Sequence, residues 1–277
     1  MKKSCVRIIY DSINECSVGC SKIGGRPDLP PDFQWFYIAN ECYNGEVEYV
    51  HLSFLAQINC EEAHPYDKNN LLPKEGLLYF FYATGTMAWG SETKDRGSAR
   101  VYYYPGDIST LVRTEFPPDI KIEDQFPELP ITFSSKEELP SFEEFIEQWS
   151  DVQDNEWTVY NETKIKMGFE SEFDDEVQQK RTKLLGYADV IQNSMLLECE
   201  QIMHQINNVK YTNTSKDLLY QQRESSKQWQ LLFQLDTIYI ENQEIMMWGD
   251  MGRLFYYIKH EDLKNLNFDN CWCILQC

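Results

Sequence analysis

The chain has 277 residues, with 45 Asp and Glu against 25 Lys and Arg, a net charge of −20. A chain of this length forms one large domain or two small ones and buries about three quarters of its unfolded surface, so it needs no staples. Its 42% hydrophobic and 14% aromatic content excludes a disordered chain, and its charge excludes nucleic acid and an anionic membrane surface as partners.

In chain order, strands are predicted at 5–10, 55–59, 77–82 and 99–104, where β-branched and aromatic residues concentrate. The run 77–82 is continuously apolar, as expected of a strand covered on both faces. A helix is predicted over 141–150. Ser141 can cap it while Glu144 reaches back, and Phe142, Phe145, Ile146 and Trp149 recur at helical spacing. Further helices are predicted at 173–184, 195–207 and 216–227, with a short turn at 260–266. The second set of strands falls at 232–236, 243–248, 254–258 and 271–276. This pattern makes an α+β, mainly β protein with a few peripheral helices. No apolar run approaches the roughly 18 residues of a membrane span, and no signal peptide is visible. A cytoplasmic monomer is the expectation.

An internal repeat organises these elements. Leu55-Ala56-Gln57-Ile58-Asn59 is echoed by Leu232-Phe233-Gln234-Leu235-Asp236, and Gly76-Leu77-Leu78-Tyr79-Phe80-Phe81 by Gly252-Arg253-Leu254-Phe255-Tyr256-Tyr257. A weaker echo pairs Gly25-Arg26-Pro27-Asp28 with Gly186-Tyr187-Ala188-Asp189. The expected organisation is a single domain, 1–277, of two related halves, about 20–110 and 184–277, joined by a partly helical segment 111–183. Residues 115–180 hold 19 Asp and Glu against 5 Lys, a net of −14, so the acidity belongs to this connection.

Nine cysteines without a secretory signal read as reduced thiols. Cys271, Cys273, Leu275 and Cys277 alternate along one strand face, which suits a packed core better than a soft-metal site. No zinc-ligand spacing occurs, so neither metal nor cofactor is expected.

Phosphate-loop, dinucleotide, zincin and hydrolase-elbow motifs are all missing. The strongest polar candidates are the repeated ones. Strict alternation sets Leu55, Gln57 and Asn59 on one face, with Leu232, Gln234 and Asp236 aligned likewise. Packing of the halves about a pseudo-twofold axis would bring Gln57 and Gln234 together. Such a polar cleft could orient a ligand through Gln57, Asn59, Gln234 and Asp236. The commoner use of buried amides is to satisfy backbone groups. Trp248-Gly249-Asp250-Met251-Gly252 is a second candidate, with Asp250 as a ligand near Trp89 and Trp248, or simply an Asx turn beside a tryptophan wedge.

These segments resemble the YwqG-like family, whose function is unknown. The resemblance rests on Gly24-Gly25-Arg26-Pro27-Asp28-Leu29-Pro30, on the stretch from Leu52 to Asn59, and on Gly76 to Tyr82. It continues through Trp89-Gly90, Gly97-Ser98-Ala99-Arg100-Val101, Leu184-Leu185-Gly186-Tyr187, Gln234-Leu235-Asp236 and Met247-Trp248-Gly249-Asp250. Ala188 departs from the proline usual in similar sequences, implying a looser turn. The resemblance implies antiparallel sheets in a roll-like arrangement with an internal duplication, and no activity. The expectation is a non-catalytic binding protein, engaging a basic protein partner or a ligand in the inter-repeat cleft. The alternative is a hydrolase-like enzyme with a carboxylate site around Asp236 and Asp250.

Overall fold

The computed structural model describes residues 1–41, 46–149, 156–169, 181–206 and 216–277. The first half and the residues flanking it supply β1 (Lys3–Ile9), β2 (Lys22–Ile23), β3 (Asp28–Leu29), β4 (Tyr37–Glu41), β5 (Val47–His51), β6 (Ser53–Asn59), β7 (Leu77–Tyr82), β8 (Ala99–Tyr104) and β9 (Val112–Arg113). The connection carries β10 (Leu129–Pro130) and β11 (Thr132–Glu138). The second half, with Lys183 just before it, supplies β12 (Lys183–Leu185), β13 (Trp229–Asp236), β14 (Ile238–Ile240), β15 (Gln243–Met246), β16 (Arg253–Lys259) and β17 (Trp272–Gln276). The helices are α1 (Cys60–Ala63), α2 (Phe142–Trp149), α3 (Trp157–Lys166), α4 (Leu196–Ile206), α5 (Lys216–Ser226) and α6 (His260–Lys264). The fold is α+β and mainly β, as the sequence predicts.

Two open antiparallel sheets dominate, ordered β10-β2-β6-β7-β8 and β11-β1-β12-β13-β16-β17. Their central strands share one register. Lys22 lies opposite Gln57, which lies opposite Tyr79; Lys183 lies opposite Gln234, which lies opposite Phe255. Both long strands carry a bulge at the same place, between Phe54 and Ala56 and between Leu231 and Phe233. A bulge lets two consecutive side chains share a face. Leu55 and Ala56, like Leu232 and Phe233, therefore all turn into the core between the sheets. Strict alternation, which groups Leu55 with Gln57, fails for this reason.

The inter-sheet core is apolar. Phe80 meets Phe233 at 4.2 Å between ring centroids and Tyr256 at 5.3 Å, and Trp248 wedges edge-on against Tyr82 and Phe126. Each sheet is covered on its outer face as well. Leu196, Cys199 and Ile202 of α4 pack on Trp229, Leu231, Phe255 and Tyr257. Phe33, Trp35 and Phe36 cover Phe54, Tyr79 and Phe81. Double cover explains the continuously apolar runs in β7 and β16.

The halves are not separate packets. β1, from the N-terminus, pairs with β12 of the second half, while β10 pairs with β2 of the first. Ile131 alone separates β10 from β11, so the chain passes from one sheet to the other within a residue. β11 reads Thr-Phe-Ser-Ser-Lys-Glu-Glu and pairs only with β1 as an edge, so it shows no apolar pattern in the sequence. The helix expected over 173–184 is corrected at its end. Lys183 and Leu184 are strand, held between β1 and β13, and 173–180 lies outside the described residues.

Cys271 and Cys273 face the inter-sheet core with Leu275. The all-thiol expectation is corrected at one pair, since Cys16 is disulfide-bonded to Cys20; Cys42 lies outside the described residues. No described helix is long and apolar enough to cross a membrane.

Candidate functional site

The repeated polar residues lie on the outer faces of the sheets, in two buried networks built on one plan. In the first, Gln57 donates from Nε2 to the Cys20 carbonyl (2.8 Å) and to Asp28 Oδ2 (2.7 Å), and its Oε1 accepts from Asp28 N–H (2.9 Å). Lys22 Nζ stands 3.5 Å from Asp28 Oδ2 and 3.1 Å from Glu128 Oε2. In the second, Gln234 Nε2 donates to the Arg181 carbonyl (2.7 Å) and Asp189 Oδ2 (2.9 Å), and its Oε1 accepts from Asp189 N–H (2.9 Å). Lys183 Nζ is 2.8 Å from Asp189 Oδ2 and 2.9 Å from Glu138 Oε2. Both lysines are buried, so each needs its carboxylates. Gly25 and Gly186 lie at positive φ beside them, where a Cβ would strike Glu128 and Glu138 respectively.

The twins differ in how their charges close. Arg113, brought by the β3–β9 pairing, donates to Asp28 Oδ1 at 2.6 Å and reaches Glu128. Burial alone would raise Asp28, but the bonds from Arg113, Gly19 N–H and Gln57, together with Lys22, hold it below the usual carboxylate range. Burial lowers Lys22, and Arg113 adds to the effect against Asp28 and Glu128. In the second network the Arg181 guanidinium stands 3.9 Å from the Asp189 carboxylate, and Arg253 donates to the Asp189 carbonyl instead, at 3.0 Å. There the attraction of Asp189 and Glu138 overcomes burial and holds Lys183 above its ordinary value.

The remaining predicted residues disperse. Asn59 caps α1, accepting from Glu61 N–H at 3.0 Å and donating to the Gly19 carbonyl at 2.9 Å. Asp236 receives Arg253 Nε at 2.9 Å and Thr237 N–H at 3.0 Å, and burial still pushes its carboxyl up to about 6. Trp248 is buried, its Nε1 donating to the Asp236 carbonyl at 3.2 Å. Asp250 sits exposed on the following turn. Gln57 and Asn59 are thus separated from Gln234 and Asp236 by the apolar inter-sheet core, and only Asp236 and Trp248 touch.

Two polar clusters give no sequence signal, because their members come from distant segments. Asp124 lies between His51 Nε2 (3.4 Å) and the Thr84 hydroxyl, which also meets Ser53 at 2.7 Å. With the carboxylate between them, the imidazole is not set against the hydroxyl as a base would be. Glu200 of α4 accepts from Trp229 Nε1 (2.7 Å) and Ser225 Oγ (2.5 Å), with Lys259 Nζ at 2.8 Å and His204 Nε2 at 2.7 Å. Burial would raise its carboxyl, but the bonds from Lys259, Ser225 and Trp229 bring it down to about 2. Among the described residues no three His, Cys, Asp or Glu side chains are grouped to hold a metal.

Trp89 lines an open cavity. The Trp89 carbonyl accepts from Leu275 N–H at 3.0 Å, and the Gly90 carbonyl from Trp272 Nε1 at 2.8 Å, so this first-half loop seals the free edge of β17. Gly90 has φ +74, and a Cβ there would stand 1.9 Å from the Cys273 carbonyl oxygen. Between the loop, β17, α4 and α2 runs a groove of about 550 Å³, lined by amides, apolar side chains, Glu147 and Glu198. Burial raises Glu147, partly offset by Ser194, Leu197 N–H and Arg223. Burial and then Glu147 raise Glu198.

Two open sheets around a shared apolar core, with buried polar networks and a groove where the halves meet, define an α+β scaffold. The chain belongs to the DUF1963 family, a domain of unknown function, whose model matches residues 21–277. No curated protein matches the chain.

Proposed function

We propose that the protein is a non-catalytic binding protein that engages a basic protein partner, and that within its family it is a YwqG-like member whose two halves arose by internal duplication. The observation that carries the reading is the fate of the repeated polar residues. Gln57, Asp28 and Lys22, and likewise Gln234, Asp189 and Lys183, spend their hydrogen bonds on one another and on backbone groups. A catalytic acid or base must reach a substrate proton, and groups closed in this way do not. What remains for function is the surface field of a chain carrying −20, which steers a basic partner and speeds its association. Calorimetric titration with an oligo-arginine peptide tests this. Binding that weakens steeply as salt rises is expected; absence of binding at low salt would sink the reading.

A hydrolase-like site is the second reading, favoured by the Asp236 carboxyl, which burial pushes up to about 6. Its carboxylate is engaged by Arg253 and Thr237, and Asp250 lies apart on the surface. A screen with general esterase and phosphatase substrates on Asp236→Asn and Asp250→Asn decides it. Activity lost in either variant supports the enzyme.

A further inference from the structure

The groove beside β17 differs in character from the closed networks. It is lined by Ile274 and the β17 backbone at Leu275, and by Trp89, which remains 47% exposed although the loop around it is fixed by backbone bonds to β17. Glu147 reaches the groove from α2 and Glu198 from α4. Among the described residues, no Lys or Arg lines it. Glu147 Oε1 accepts from Leu197 N–H at 3.0 Å, and the Ser194 hydroxyl also lies beside its carboxylate. The cation that acts on Glu147 is Arg223, of α5, which is not part of the lining.

These features have one chemical complement. An arginine guanidinium is flat, donates in its own plane to carboxylates and amide carbonyls, and stacks its face on an indole. A neutral ligand would leave the carboxylates of Glu147 and Glu198 desolvated against each other, and an anion would be repelled by both. Amides such as Gln201 add donors and acceptors around the rim.

We propose that this groove seats an arginine side chain of the basic partner, with Trp89 as the stacking face and Glu147 and Glu198 as the counter-charges. The proposal rests on the basic-partner reading and says where that partner's anchor goes. The occupant is fixed by charge complementarity, since two carboxylates and an exposed indole line the groove and no described residue lining it is a cation. The groove also spans both halves, so the anchor would read the closed arrangement of the whole domain rather than one half.

Titration with an oligo-arginine peptide is repeated on Trp89→Ala, Trp89→Phe, Glu147→Gln and Glu198→Gln, with Glu244→Gln, exposed on β15, as a control outside the groove. Trp89→Ala and each Glu→Gln change in the groove should weaken binding about tenfold, Trp89→Phe less, and Glu244→Gln not measurably. Thermal melts establish that each variant is folded. The Trp89→Phe variant retains an aromatic face and the Glu147→Gln variant retains an acceptor for Leu197 N–H, so the test survives if Trp89→Ala does not fold. Equal effects of Glu244→Gln and the groove variants, or no effect of the latter, would mean that the diffuse field alone holds the peptide. That result overturns the groove proposal and leaves the basic-partner reading intact. Failure of the unaltered protein to bind overturns both.

Discussion

A buried lysine is stable only as part of a charge set, and the two networks solve that problem with unequal means. Lys22 shares Asp28 and Glu128 with Arg113, whereas Lys183 is the main cation facing Asp189 and Glu138. Removing one partner from a buried set is costly because the rest stays desolvated. Lys183→Met should therefore cost about 3–5 kcal/mol. Lys22→Met should cost clearly less, since Arg113 still neutralises its carboxylates. Urea midpoints at unchanged slope measure both; equal losses would contradict the asymmetry. Glu144 makes the opposite case. It is 3% exposed, its Oε2 has no hydrogen-bond partner, and burial pushes its carboxyl from 4.5 up to about 7. Lys3 and Lys183 attract it, Glu138 and Glu147 repel it, and the Tyr187 and Tyr257 rings are close enough for it to raise their hydroxyls. The folded state thus binds its proton more tightly than the unfolded chain. This group leaves stability untouched below about pH 4.5, lowers it as pH rises through about 7, and lowers it fully above that. Glu144→Gln should match the parent near pH 4 and exceed it by on the order of 2 kcal/mol near pH 8. A difference that does not vary with pH would refute this cause.

At the scale of elements, the edge of β17 is the part most dependent on a distant segment. Trp89 and Gly90 supply carbonyls to Leu275 N–H and Trp272 Nε1, and only a residue without a Cβ lets that loop approach Cys273. Gly90→Ala must displace the loop. It should expose the Leu275 amide and destabilise the protein by roughly 2 kcal/mol or more through lost bonds and strain. Hydrogen exchange at Leu275 is the direct measurement, and protection equal to the parent's would count against the edge-sealing role. Some of these elements are legible in the sequence and others are not, for physical reasons. β7 and the centre of β16 stand out because covered strands are apolar, and α2 because Ser141 Oγ accepts from Glu144 N–H as its spacing implies, although the Glu144 carboxylate accepts from Gln148 instead of reaching back to the Ser141 amide. β11 is silent because an edge strand needs no apolar face. The bulges are silent too, since nothing in Phe54-Leu55-Ala56 marks the register shift that turns Leu55 inward. Gln57 and Gln234 are legible as a matched pair, but not as residents of opposite outer faces. The groove depends on which loop meets β17, and only the folded chain defines that.

On the scale of the molecule, the acidic connection is more than a solvated linker. Two of its carboxylates, Glu128 and Glu138, neutralise the buried lysines of opposite sheets, and its strands β10 and β11 complete those sheets. The N-terminal strand β1 meanwhile completes the sheet of the C-terminal half. Neither half then holds all the groups its own network needs. Residues 20–110 lack Arg113, Glu128 and β10; residues 184–277 lack Lys183, Glu138 and β1. An excised half would expose the Phe80 or Phe233 face to water and leave Asp28 without its arginine or Gln234 without its lysine neighbour. Each lost buried aromatic contact surface weighs about 1.5–3 kcal/mol in transfer free energy, a large share of the roughly 5–15 kcal/mol by which domains are stable. The expected behaviour is one cooperative unfolding transition for the full chain, with near-ultraviolet circular dichroism and tryptophan fluorescence changing together, and no folded state for either fragment alone. Two separated transitions, or a fragment 184–277 with dispersed amide resonances, would show that the exchanged strands decorate the halves rather than hold them together.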